Sequence, residues 1–214
     1  CINENPATIL VNTASIYGMN DVTHLGIYDI PLISNIPNMV YLAPTNKQEY
    51  FAMLDWSIEQ DKHPVAIRIP CNGVISTTED VDTDYSDLNK YQIKISGSNI
   101  AILALGDFFD IGEKLAKAVS EKTGVMPTLI NPRYITGLDE ELLENLKKDH
   151  TTVITLEDGI LDGGFGEKIA RFYGPSDVKV YNYGIKKEFL DRYAIADVLK
   201  ENHLTVPQIL EDVL

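Results

Sequence analysis

Ile100-Ala101-Ile102-Leu103-Ala104-Leu105 is six apolar residues without a break, and it runs into a segment where Ile111, Leu115, Ala118 and Val119 recur at helical spacing. An unbroken apolar run of this length reads as a strand buried on both faces, and residues three and four apart share one side of a helix. Together they read as one strand and crossover of a parallel βαβ unit. The plan repeats toward the C-terminus. Thr128 to Ile130 reads as a strand, and Leu138 to Lys148 as a helix with Leu142, Leu143 and Leu146 inward. Val153 to Leu156, a helix from about Glu167 to Tyr173, and Val178 to Tyr181 follow, so that with Ile93 to Ile95 a five-stranded sheet is expected. Thr205-x-x-Gln208 has capping-box spacing and Pro207 is tolerated in a first turn, so Thr205 to Leu214 is expected to close the chain as a short helix.

The same alternation runs toward the N-terminus. Ala7 to Val11 reads as a buried strand, Thr13 to Gly26 as a loop, Met39 to Leu42 and Val65 to Ile69 as further strands. Thr45-x-x-Gln48 predicts a helix start, with Tyr50, Leu54 and Ile58 on the buried face. Between Cys71 and Lys90 the apolar period stops, and Glu79, Asp80, Asp82, Asp84 and Asp87 crowd among Ser and Thr. A solvated connection held extended by self-repulsion explains this run better than a metal cage does. The fold class is therefore α/β in two domains: a partial parallel-sheet domain over 1–75, an acidic linker over 76–92, and a five-stranded α/β domain over 93–214.

The formal net charge of -14 argues against a nucleic-acid surface or an anionic-membrane patch, since both need clustered Lys and Arg. Small molecules and other subunits are the expected partners. Cys1 and Cys71 are too few and too distant for a disulfide framework or a metal site, which fits a reducing cytosol and a cytoplasmic location. No apolar run approaches the roughly 18 residues of a spanning helix. The opening Cys1-Ile2-Asn3, without an initiator Met, leads almost at once into an apolar strand, and a fragment is expected.

The loop Gly18-Met19-Asn20-Asp21-Val22-Thr23-His24-Leu25-Gly26 sets a titratable His between two glycines after a buried strand, where open α/β sheets place their sites. On spacing alone, a lone loop His reads first as a surface or capping residue. His63, His150 and His203 sit before a proline or at helix ends, where capping or exposure accounts for them. Cys71 has no His or Asp at a nucleophile's motif spacing. Gly163-Gly164-x-Gly166 matches neither the dinucleotide fingerprint nor a P-loop with its Lys, and reads as a tight turn opening a helix.

Gly18-x-x-x-x-Thr23-His24-x-Gly26 with Tyr28-Asp29, then Ile36-Pro37-Asn38-Met39-Val40 and Ala43-Pro44, resembles the end of a pyrimidine-binding domain of the transketolase family, in its 1-deoxy-D-xylulose-5-phosphate synthase branch. Val65-Ala66-Ile67-Arg68-Ile69-Pro70 resembles the next strand of that domain. Asn131-Pro132-Arg133-Tyr134 with Leu138-Asp139-Glu140, and Glu157-Asp158-Gly159 with Gly163-Gly164-Phe165-Gly166, resemble signatures of the family's C-terminal domain. The resemblance covers essentially the whole chain in the family's order.

It implies a transferase that uses thiamine diphosphate and Mg, works as a homodimer, and carries a two-carbon unit from a keto acid or ketose to an aldehyde or sugar phosphate. His24 is implied as a catalytic and substrate-contacting residue, able to donate a hydrogen bond or move a proton. Asn20, Thr13, Arg68 and Cys71 are implied as its companions in substrate binding. Three of these depart from the family pattern. Asn20 stands where an Asp usually reads a substrate hydroxyl, and Thr13 and Cys71 stand where two arginines usually grip the acceptor's phosphate. Losing two guanidinium groups removes charge-assisted contacts that neutral side chains do not replace. Arg68 is left as an anion contact or, equally, a strand-end ion pair. The glutamate that activates the cofactor is implied upstream of Cys1, and the sequence holds no Gly-Asp-Gly with a following Asn to bind diphosphate and metal. This chain alone is therefore expected to be inactive. A split transketolase, a 2-oxo-acid dehydrogenase β subunit and a non-catalytic assembly or regulatory paralogue remain as alternatives.

Overall fold

β1 (Ala7–Ala14), β2 (Val40–Leu42) and β3 (Pro64–Pro70) form a parallel sheet in the order β1-β3-β2. The structure is a computed structural model and describes residues 1–214 apart from 4, 18–20, 71, 72 and 74. A second sheet has the order β4-β6-β5-β7-β8, with β4 (Gln92–Ile95), β5 (Asn99–Ala104), β6 (Thr128–Asn131), β7 (His150–Ile160) and β8 (Lys179–Ile185). This is the α/β class that the apolar pattern predicts.

One strand departs from the parallel plan, because β4 runs antiparallel to β6 at the edge. The short connection from β4 to β5 crosses the start of β6 at Gly97, where a Cβ would lie 2.0 Å from the Met126 carbonyl oxygen. Only a residue without a side chain permits that crossing.

Seven helices flank the sheets among the described residues. They are α1 (Asp29–Ile33), α2 (Lys47–Glu59), α3 (Phe109–Thr123), α4 (Glu140–Leu146), α5 (Phe165–Tyr173), α6 (Ile195–Glu201) and α7 (Val206–Val213). In α3 the expected Leu115 and Val119 are buried, with Ala116 completing the stripe. In α2 the expectation fails by one face: Ala52, Met53 and Trp56 are buried, whereas Ile58 is exposed. Its N-cap is Asn46 rather than Thr45. The Asn46 side chain accepts from the Glu49 N–H, and the Glu49 carboxylate reaches back to the Thr45 N–H and hydroxyl at 2.7 and 2.9 Å. In α7 Pro207 does occupy the first turn, but the Thr205 hydroxyl donates to the Gln208 side chain and caps no backbone N–H.

The sheets share a core. Tyr41, Ala43 and Ala66 of the small sheet pack in one cluster with Leu103, Ile130 and Phe165. Residues 133–135 extend this union by running antiparallel along β2, with Ala43 N–H to Arg133 O and Ile135 N–H to Tyr41 O both 2.8 Å. The acidic stretch has no helix or strand among its described residues, yet it is pinned down: Tyr85 is buried, Asp82 pairs with Arg133, and Glu79 pairs with Lys94 at 2.7 Å. His150 is buried rather than exposed, and its Nδ1, 3.1 Å from Leu146 O, caps the end of α4 as expected, while Nε2 lies 2.8 Å from Thr128 Oγ1. At the opposite edge, β1 leaves Ile9 and Leu10 each about two-fifths exposed.

Candidate functional site

In a parallel sheet, ligands collect beyond the C-terminal ends of the strands. Here that end is where β1 leaves through a register shift between Asn12 and Ala14, with Thr13 at a φ of 59° and Ser15 at 80°. Thr13 is exposed, and its hydroxyl is turned back to Asn12 O at 2.6 Å. A β-branched residue in this left-handed region is uncommon and costs about 1–3 kcal/mol.

The segment after β1 closes on itself. Ser15 N–H donates to Gly26 O at 2.8 Å, forming a neck, and the Ser15 hydroxyl donates to Asp107 at 3.0 Å. Gly26 is obligatory at this neck, because a Cβ there would lie 1.7 Å from Thr13 O. Gly26→Ala should therefore cost about 2 kcal/mol or more, seen as a fall of roughly 4–8 °C in the melting temperature. An unchanged melt would mean that the neck is not a fixed structure.

His24 lies on the exposed side of this closed segment. Asp21 makes a tight turn beneath it, accepting from Thr23 N–H at 2.9 Å and Thr23 Oγ1 at 2.7 Å, while Asp21 O accepts from His24 N–H at 2.8 Å. The backbone and side-chain hydrogen bonds from Thr23 hold the Asp21 carboxyl below the usual carboxylate range. Thr23 Oγ1 also lies 2.8 Å from His24 Nδ1. A hydroxyl that gives its one proton to Asp21 must accept from Nδ1–H, so this network assigns the imidazole proton to Nδ1 and leaves Nε2 for a ligand. Tyr17 further fixes the turn by donating to His24 O. Asp21 and Thr23 are the orienting pair that sequence reasoning passed over; the Asp-x-Thr spacing ahead of a His was the available signal.

Arg68 sits in β3, in register with Val11, and is buried. Its Nε and Nη2 bind the two oxygens of Asp29 at 2.7 and 3.1 Å, and Nη1 binds Asp158. Tyr41 donates to the same Asp29. Burial by itself would lower the pKa of the guanidinium, but Asp158 and Asp29 outweigh it and hold the pKa well above normal. Asp158 is pushed up by burial against the pull of Arg68. Asp29 opens α1, directly after the loop, and Asp158 belongs to the other sheet, so this triad locks the base of the His24 segment to both sheets. Next to Asp158, Glu157 accepts from Phe165 N–H at 2.8 Å and Gly166 N–H at 2.7 Å, holding the first turn of α5. Burial pushes Glu157 up to about 8 in spite of those two donors.

Of the sequence candidates, the structure brings Thr13 and the His24 segment together at the end of β1 and places Arg68 beneath them in the interior. Asn20 and Cys71 lie outside the described residues. Beyond β2 and β3 a cavity of about 450 Å³ is lined by Pro44, Thr45, Lys47, Tyr50, Ile69 and Asp107. No helix among the described residues is long and apolar enough to cross a membrane.

A three-stranded parallel sheet and a five-stranded, mostly parallel sheet sharing a core, with a histidine-bearing loop at the end of β1, define a protein of the α/β class. Residues 2–74 match the transketolase pyrimidine binding domain and residues 89–209 match the transketolase C-terminal domain, and the chain belongs to the transketolase family. It is 32% identical over 194 residues to the 1-deoxy-D-xylulose-5-phosphate synthase of Lachnoclostridium phytofermentans, covering 89% of this chain and 31% of that protein. It is 35% identical over 186 residues to that of Clostridium botulinum, covering 87% and 29%. The chain thus spans about a third of the length of the curated relatives it matches. A solved structure described as a split gene transketolase, inactive beta4 tetramer, is 21% identical with a TM-score of 0.79 over 99% of this chain and 66% of that one, and shows the shared fold.

Proposed function

We propose that this chain supplies the acceptor-facing part of a thiamine-diphosphate-dependent transferase that joins a two-carbon unit from pyruvate or a ketose to an aldehyde. The observation that carries the reading is the Asp21–Thr23–His24 relay at the mouth of the small sheet. It presents Nε2 outward in the tautomer that can accept a proton from an acceptor hydroxyl or, once protonated, donate to an acceptor oxygen.

Thiamine diphosphate needs a divalent ion bracketed by oxygen ligands. Among the described residues no three His, Cys, Asp or Glu side chains gather to hold one. The buried carboxylates Asp29, Asp158 and Glu157 are committed to Arg68 and to the start of α5. These residues do not fit the diphosphate and its metal, which this proposal assigns to other parts of the working enzyme. The exposed β1 edge supports pairing with further strands, and a homodimer or a complementing subunit would complete the assembly.

A neutral Thr13 in place of an arginine points to an acceptor with less negative charge than a phosphorylated aldehyde. Thr13→Arg tests this in the complete enzyme. At a φ of 59° an unbranched Arg is no more strained than Thr, so folding should be unaffected. KM for a phosphorylated aldehyde should fall about tenfold with little change for the unphosphorylated one. Equal effects on both acceptors would remove Thr13 from the pocket.

A further inference from the structure

A cleft of about 930 Å³ opens at the other end of the small sheet, between the α1–β2 connection, the loop after β6 and one face of α5. Its walls include Val40 and His63, at the starts of β2 and β3, whereas the His24 segment lies past their ends. The length of β3 separates the two places by roughly 20 Å, at about 3.3 Å per residue.

The cations of this cleft are unusual for a chain of net charge -14. Lys168 and Arg171 lie three apart on α5, and both line the cleft. Among the described residues no carboxylate comes within ion-pair distance of either, and Lys168 Nζ donates to the Ile135 carbonyl, at 2.9 Å. Glu167, also in the lining, accepts from the N–H of the lining Gly163 at 2.8 Å, and Glu140, at the start of α4, lines the cleft as well. Two cations without an ion pair, beside a cavity of metabolite size, are what a bound anion would complete.

We infer that this cleft is a second ligand site, separate from the His24 site, that takes a small dianion bearing a phosphate or two carboxylates, with Lys168 and Arg171 as its charge partners. Burial and the neighbouring Arg171 lower the Lys168 ammonium to about 8, with Glu157 opposing. A bound dianion raises it again, so binding takes up protons near pH 8 and weakens above that pH as the lysine discharges. His63, Glu140, Glu167 and Arg171 are the other ionisable groups facing the cleft.

The test is titration calorimetry of the full chain at pH 7 and low salt, with inorganic phosphate and with succinate as probes. The parent, Lys168→Met, Arg171→Met and Lys117→Met would be compared, the last removing an equal charge from a remote exposed position. Arg171 is exposed, so its replacement leaves folding intact even if Lys168→Met does not fold. The inference expects saturable binding of one anion per chain, weakened about tenfold in each cleft variant and unchanged in Lys117→Met. Phosphate alone binding assigns a phosphorylated ligand, succinate alone a dicarboxylate, and both a site that selects on charge. Absence of saturable binding by either probe, or equal binding by parent and Arg171→Met, overturns it.

Discussion

Arg68→Met should destabilise the protein by about 3–5 kcal/mol. Arg68 and Asp158 have side chains 3% and 1% exposed, and Asp29 is 11% exposed, so removing the guanidinium leaves two carboxylates facing each other with little water. One Asp158 oxygen already lacks a hydrogen-bond partner, so the triad has no spare donor. Chemical denaturation at pH 7 reads the effect. The loss should shrink as pH falls. Asp158 has a folded pKa raised above its unfolded value, so the stability linked to its protonation is present at low pH and lost as pH rises through the folded pKa. Removing Arg68 raises that pKa further, and the variant therefore suffers most at neutral pH and least in acid. A cost below 1 kcal/mol at pH 7 would show that water reaches the triad.

His24→Ala, made in the complete enzyme, is expected to lower kcat/KM for carboligation about 10²–10⁴-fold while leaving thermal stability nearly unchanged, since the ring is exposed. Thr23→Val is the accompanying variant. It removes the hydroxyl that bridges Asp21 and Nδ1, so the imidazole loses its assigned tautomer but keeps its place in the chain. Thr23→Val should shift the pH dependence of turnover, an effect that a merely structural loop residue would not produce. Full activity in His24→Ala would remove the relay from the reaction.

The strands and α3 were legible because their evidence is local: Ile100 to Leu105 is apolar throughout, and Leu115 and Val119 are four apart. The face of α2 was not, because Tyr50, Leu54 and Ile58 form one apolar stripe and Ala52, Met53 and Trp56 another. Only the position of the sheet and of Tyr85 selects the second. The antiparallel β4 escaped for a similar reason, since strand direction at a sheet edge is set by the crossing at Gly97 and not by periodicity. At the site, His24 and Thr13 were visible as loop residues in a suggestive place. The Arg68 triad was not, because its partners lie 39 and 90 residues away in the chain and neither is marked by spacing. Arg68 was weighed equally as an anion contact and an ion pair; its geometry is that of a buried ion pair. In the sequence Lys168 and Arg171 look like ordinary charges of a surface helix, and only the cleft beside them sets them apart.

The most direct measurement is product formation from pyruvate and an aldehyde acceptor by the protein in its complete native assembly, with glyceraldehyde and glyceraldehyde 3-phosphate compared and thiamine diphosphate and Mg supplied. The account predicts two-carbon extension of the aldehyde with loss of carbon dioxide, slowed about 10²–10⁴-fold by His24→Ala and favouring the unphosphorylated acceptor. No extension of either aldehyde, in an assembly shown to bind the cofactor, would contradict it and leave the chain as a non-catalytic member of the family.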